Sequence, residues 1–283
     1  MSKSQFFDAA KSGDIPRLTS ILASNSTVLN AKDERWNDAT ALMHSSYEGH
    51  TEIARILVQH KASLDLQKKV GGTALMASSQ KGHTEIARIL VQHKASLDLQ
   101  DKNGATALMA SSWKGHTEIA RILVQHKASL DLQNKKGITS LMLTSVKGHT
   151  EIAHILVQHK ASLDLQNKDG WTALILAACR GHLEIASLLM LNGADLELRH
   201  KEGKDARAWA EERGHTDIVT LIEKEDRWRR RRFWVMFSTA FRNAAATEPI
   251  GSPAMDMAIS IECVTRIAAG YLWFSWKMAN FLL

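Results

Sequence analysis

The sequence predicts an all-α solenoid of stacked helix pairs, joined by short β-hairpin loops and followed by a separate C-terminal tail. Three observations carry that expectation. The dipeptide Gly-His stands at 49, 82, 115, 148, 181 and 214, always 33 residues apart. The block TEIARILVQHKASLDLQ is identical at 51–67, 84–100 and 117–133, and at 150–166 only His154 replaces Arg. Inside each block, Ile and Leu recur at helical spacing. A fixed period of this length, in units too small to bury a core alone, marks repeats stabilised by stacking on their neighbours.

The opening unit, residues 1–36, is a variant expected to cap the array. Phe6, Phe7, Ala9 and Ala10 precede Gly13, and Ile15, Leu18, Ile21 and Leu22 follow at helical spacing. Pro16 falls in the first turn of that second helix, where a missing N–H costs nothing. The link Ser24–Asp33 is longer than its later counterparts, and no hairpin precedes this unit. Asn25-Ser26-Thr27 matches a glycosylation sequon and is read as a polar loop. Helix pairs are then expected near 40–60, 73–93, 106–126, 139–159, 172–192 and 205–225. Residues 37–201 hold five internal units. Residues 202–226 form a C-terminal cap, where Lys204, Arg207, Glu211, Glu212 and Arg213 place charge at positions that are small or apolar further in.

Each unit has the same local logic. The Thr73 hydroxyl caps a first helix begun by Ala74, Leu75, Met76 and Ala77, and Gly82 ends it. Thr84 and Glu85 open the second helix, with the carboxylate at the positive end of its dipole. Ile86, Ile89, Leu90 and His93 recur at i, i+3, i+4 and i+7, so this stripe is expected to face inward. Small Ala77, Ser78 and Ser79 let first helices lie close together.

This order, Gly-x-Thr-Ala-Leu, then Gly-His, an Ile/Leu-rich helix and a short loop, resembles the ankyrin repeat over about residues 4–226. Three departures stand out. Ala or Ser replaces the motif's Pro at Ala41, Ala74, Ala107, Ser140 and Ala173. Met43, Met76, Met109, Met142 and Ile175 replace its His, so the family's Thr–His hydrogen bond is lost and a looser turn is expected. Lys61, Lys94, Lys127 and Lys160 stand where the family has Gly, retained here only at Gly193. The resemblance implies a protein-binding scaffold that grips its partner on the concave side.

The sequence holds no Gly-x-Gly-x-x-Gly, no phosphate loop and no His-Glu-x-x-His, so neither an enzyme nor a cofactor is expected. The histidine ladder His50, His83, His116, His149, His182 and His215 suggests metal. Repeats stack about 8–10 Å apart, whereas nitrogens sharing a zinc each lie ~2.1 Å from it. These are read as structural turn histidines. A second ladder, His60, His93, His126 and His159, falls at helix C-termini, where positive charge is favoured. Glu52 and Arg55, spaced i, i+3 and repeated in the next two units, read as a solvated stabilising face.

Where near-identical units differ, a partner is expected to touch. Val70, Asn103, Lys136 and Asp169 precede the hairpin Gly-x-Thr. Ala105, Ile138 and Trp171 follow its glycine. Tyr47, Gln80, Trp113, Val146 and Cys179 end the first helices. Trp113, Ile138 and Trp171 are expected to be exposed anchors, Trp being typical of binding hot spots. Drift at exposed positions after duplication is the alternative.

The tail differs in kind. The chain has 36 Lys/Arg, 30 Asp/Glu and a net charge of +6, of which residues 227–283 hold +5. Residues 227–248 are a basic aromatic segment containing Arg229, Arg230, Arg231, Arg232 and Trp234. Residues 254–283 are an apolar segment with Trp273 and Trp276, too interrupted by Arg266 and Lys277 for the roughly 20 residues of a simple span. Three readings stay open: a membrane-surface or anchoring segment, packing against the array or a partner, and a nuclear-import or nucleic-acid patch. Two cysteines and a polar N-terminus fit a cytoplasmic chain, with membrane association through the tail as the alternative. An unidentified protein is the expected partner, an anionic membrane surface a secondary one; nucleic acid and a small-molecule substrate are not expected.

Overall fold

The computed structural model describes residues 3–229 and residue 231. The chain divides after Glu223. In the first unit, α1 (Lys3–Ser12) and α2 (Ile15–Ser24) are followed by 3-10 turns Ser26–Val28 and Glu34–Trp36. Five helix pairs follow: α3 (Ala41–Glu48) and α4 (Thr51–Gln59), α5 (Ala74–Lys81) and α6 (Thr84–Gln92), α7 (Ala107–Lys114) and α8 (Thr117–Gln125), α9 (Ser140–Lys147) and α10 (Thr150–Gln158), α11 (Ala173–Arg180) and α12 (Leu183–Leu191). Then comes α13 (Ala206–Glu212), and the chain is helical again from 216. First helices pack on first helices, α1 through α13, and second helices on second helices, α2 through α12. This gives two layers with the core between them.

The first layer is close because its facing residues are small. Ser45, Ser78, Ser111 and Thr144 are fully buried, and each hydroxyl donates to the carbonyl three residues back. Ala177 takes the same register in α11. In α6, Ile86, Ile89 and Leu90 are buried as expected, but His93 is not part of that stripe. Its Nδ1 turns back to the Ile89 carbonyl at 2.9 Å, which also accepts the His93 backbone N–H at 3.1 Å. His60, His126 and His159 do the same, and Asn192 substitutes with its Nδ2.

Lys94 follows with φ +65, its N–H bonded to the Val91 carbonyl and the next N–H to Leu90. This is a Schellman closure with a lysine where glycine is usual. Lys61, Lys127 and Lys160 share the left-handed conformation.

Side-chain ladders bind unit to unit. His83 Nε2 meets the Tyr47 carbonyl at 3.0 Å, and each Gly-His histidine from His50 to His215 likewise reaches a carbonyl at the end of the preceding first helix. The ring lies over that repeat's glycine: a Cβ on Gly115 would stand 2.5 Å from His149 Cε1. Gln100 Nε2 donates to both Gly104 O and Gln133 O, with Gln67, Gln133 and Gln166 acting alike. Asp65 accepts from the N–H and hydroxyl of Ser96, one unit on, and Asp98 and Asp131 repeat the contact. On the outer helices Arg88 bridges Glu85 at 3.6 Å and Glu118 at 3.3 Å, and Arg55 and Arg121 also span two units.

The connecting tips are hairpin turns too short to form strands. Among the described residues there is only one isolated bridge, Asp33 with Ala39. Asp101 N–H bonds to the Ala105 carbonyl, and Asp101 Oδ1 accepts from Asn103 and Ala105 N–H; Asn134 and Asn167 repeat this. The turns are not loose. Thr73 Oγ1 accepts from Met76 N–H at 3.2 Å, and its counterparts in every internal unit cap in the same way. The Thr cap needs only a backbone donor, so losing the motif's histidine leaves it intact.

Candidate protein-binding surface

Connection and first-helix residues meet around a pocket of 210 Å³ at the N-terminal end of the array, bounded by Trp36, Ala39 and Lys68 from the connections, by Met43, His44, Tyr47 and Glu48 of α3, and by Lys11, Thr73 and Ala77. Because the units repeat at 33 residues, the same positions face the same side further along: Tyr47, Gln80, Trp113, Val146 and Cys179 form one row.

Within that row Tyr47, Gln80 and Trp113 are exposed, Val146 and Cys179 half-buried. Trp113 is 41% exposed, and Lys147 Nζ lies 3.9 Å above its ring. Lys81 covers Tyr47 in the same way at 4.2 Å. At the tips Val70, Asn103, Lys136 and Asp169 are exposed, while Ala105 and Ile138 are half-buried, so Ile138 is not the exposed anchor expected of it.

Trp171 departs from expectation. It is half-buried, its ring 4.8 Å from Trp209 and 4.4 Å from His200. Its apolar surface is consumed in seating the last unit, so the free aromatic anchor of the central units is Trp113 alone. The charged residues of that last unit pair with one another, Lys204 with Glu212 at 2.5 Å and Arg207 with Glu211 and Glu223 at 2.8 Å.

Sequence reasoning overlooked Trp36 and His44. Trp36 is 50% exposed beneath Lys11, whose Nζ is 3.7 Å from the ring. It sits in the aperiodic first connection, where no second copy exists for comparison. His44 is buried, edge-on to Trp36, with Nε2 3.5 Å from Asp33 Oδ2 and no hydrogen bond. Burial pushes the His44 imidazole below its ordinary pKa, although Asp33 acts in the opposite sense. Asp33 is pushed upward by burial, but Arg35, bonded at 2.9 and 3.0 Å, and the other charges nearby bring it below the usual carboxylate range. Only at position 44 does the register hold histidine; Ala77, Ala110, Leu143 and Leu176 follow.

Neither ladder of histidines gathers ligands. Each ring reaches a different backbone carbonyl, and no cluster that could hold a metal occurs among the described residues. Asn25 Oδ1 accepts from the Thr27 N–H and hydroxyl, closing the turn around the sequon. Of the tail, residues 224–229 are helical, with Arg229 paired to Glu225 at 2.8 Å and Trp228 53% exposed. No helix among the described residues is long and apolar enough to cross a membrane. Trp234, Trp273 and Trp276, with Arg230 and Arg232, lie outside the described residues.

The family described as ankyrin repeats (3 copies) matches the chain over residues 6–101, 61–134, 93–167 and 141–231. The chain belongs to the ankyrin-repeat family. Ankyrin repeats are in general protein–protein interaction modules, and the family is typically non-enzymatic. Among curated proteins, none matches this chain.

Proposed function

We propose that this ankyrin-repeat protein is a non-enzymatic scaffold holding a protein partner in the hollow between its tips and first helices. Trp113 carries the reading. It is a large aromatic side chain left in solvent where the neighbouring units place Gln80 and Val146. An anchor of this kind contributes about 2 kcal/mol or more to binding, while trimming an exposed side chain changes stability by about 0.5 kcal/mol or less. Tyr47 and the tip residues Val70, Asn103 and Lys136 extend the same contact, with Trp36 at its N-terminal end. The test is affinity capture with the full chain, Trp113→Ser, and Leu191→Ser as a control on the outer layer, where Leu191 is 76% exposed. Trp113→Ser loses the partner at an unchanged thermal midpoint and Leu191→Ser retains it. Equal capture by all three overturns the proposal.

A second reading is favoured by arginine and tryptophan interleaved in the tail sequence, with Trp228 exposed: the tail locates the scaffold on an anionic membrane surface. Each basic residue near such a surface contributes about 1 kcal/mol, and Trp suits the headgroup region. The full chain then sediments with anionic vesicles and much less with neutral ones, and replacing Arg229 to Arg232 with Gln releases it. Failure to sediment with anionic vesicles refutes this reading.

A further inference from the structure

Cations on the two sides of the array have different fates. On the outer helices, Arg55, Arg88 and Arg121 are each held between two glutamates. At the tips, Lys102, Lys135, Lys136 and Lys168, and at the first-helix ends, Lys114 and Lys147, are exposed, with no carboxylate at ion-pair distance among the described residues. The tip lysines that are neutralised lie in the end units, Lys69 by Asp38 at 3.5 Å, Lys201 by Asp169 at 3.4 Å and Lys204 by Glu212 at 2.5 Å.

The tip lysines are held in register by the backbone. Lys102 N–H donates to Val70 O at 3.0 Å, Lys135 N–H to Asn103 O at 2.8 Å, and Lys168 N–H to Lys136 O at 3.1 Å. One lysine is therefore presented per unit, at the stacking distance of about 8–10 Å. A polyproline-II chain advances about 3.1 Å per residue with about three residues per turn, so every third side chain lies on the same face and meets the next lysine. Trp113 lies on the first-helix side of the same stretch, under Lys147.

From these facts, and resting on the reading of the hollow as a protein-binding surface, we propose that the central units bind an extended acidic peptide segment with a carboxylate at about every third residue. Nucleic acid fits less well. A single strand is held by bases stacked on successive aromatic side chains, and here Gln80 and Val146 flank the one tryptophan.

The test uses the full chain and fluorescein-labelled peptides, read by anisotropy at low salt. One peptide consists of Glu-Pro-Ser triplets, one replaces Glu with Gln, and one has the same composition with its glutamates contiguous. An oligothymidylate of equal charge is the fourth probe. The triplet Glu peptide binds, and raising the salt weakens it. The Gln peptide and the Lys102→Gln/Lys135→Gln/Lys168→Gln variant each lower affinity about tenfold or more, and the contiguous peptide binds several-fold less tightly. The inference is overturned if the Glu peptide does not bind, if Gln and Glu peptides bind equally, if the contiguous peptide binds as well as the triplet one, or if the triple variant is indifferent. Tighter binding of the oligonucleotide through the same lysines overturns it in favour of nucleic acid. Capture of the natural partner that depends on Trp113 but not on these lysines leaves the scaffold reading standing and removes this one. Dependence on neither removes both.

Discussion

Replacing Lys61, Lys94, Lys127 and Lys160 together with glycine will stabilise the array, because all four hold left-handed backbone, with φ between +62 and +69. That conformation costs a residue with a Cβ roughly 1–2 kcal/mol. The gain is offset by about 0.5–1 kcal/mol, since glycine loses more freedom on folding, and by about 0.3 kcal/mol for a cation removed from a helix C-terminus. The net is about 0.5 kcal/mol per site. The sites are about 8–10 Å apart and share no partners, so they add to roughly 2 kcal/mol. For a chain of this size that raises the thermal midpoint by about 4–8 °C, read by circular dichroism or calorimetry. The reverse change isolates the cause. Gly193 closes α12 with φ +94, and a Cβ placed there meets no atom within 4 Å. Gly193→Lys therefore introduces no clash and carries the same net penalty of about 0.5 kcal/mol, lowering the midpoint. A quadruple variant no more stable than the wild type, together with a harmless Gly193→Lys, refutes the reasoning.

Gly115→Ala will cost more than Gly193→Ala in urea unfolding by about 1–3 kcal/mol, because only the former drives a methyl group into the next unit's His149 ring; equal losses show that the ring yields freely. Ser79 and Ser112 bury hydroxyl oxygens with no hydrogen-bond partner, where α11 has Ala178. Ser79→Ala and Ser112→Ala are expected to be neutral or stabilising by about 1 kcal/mol each, and a clear loss in denaturant midpoint contradicts this. For His44 the sign follows from its lowered pKa. Below the ordinary value of 6.5 the unfolded chain takes up a proton that the folded chain resists, so this residue removes stability as pH falls from 6.5 toward its folded value. The corresponding window for Asp33 lies below 3.8. His44→Ala, matching Ala77, is expected to flatten the stability–pH slope just below 6.5; an unchanged slope refutes the assignment.

Much of the array was legible in the sequence because its contacts repeat. When Gln100 meets the next unit's carbonyl, Gln67 and Gln133 must do the same, and one unit read correctly is read many times. The helix pairs, the glycine stops and the histidine turns belong to this class. So do the left-handed lysines, since a loop of fixed length leaves the chain few ways to reverse. What only the tertiary structure decided lies where the period fails. Trp171 occupies a tip position that sequence marks as exposed, but Trp209 and His200 come from the final unit, which follows a different pattern and closes over the ring. Trp36 and His44 belong to the first connection and its neighbour, where no copy predicts their partners. His93 has the spacing of a core residue, yet it stands at the helix end, exposed, with its ring turned back on the Ile89 carbonyl that its own N–H already meets. Periodicity specifies contacts between like units. Contacts between unlike ones depend on shape and on which unsatisfied groups happen to meet, and these exist only in the folded array.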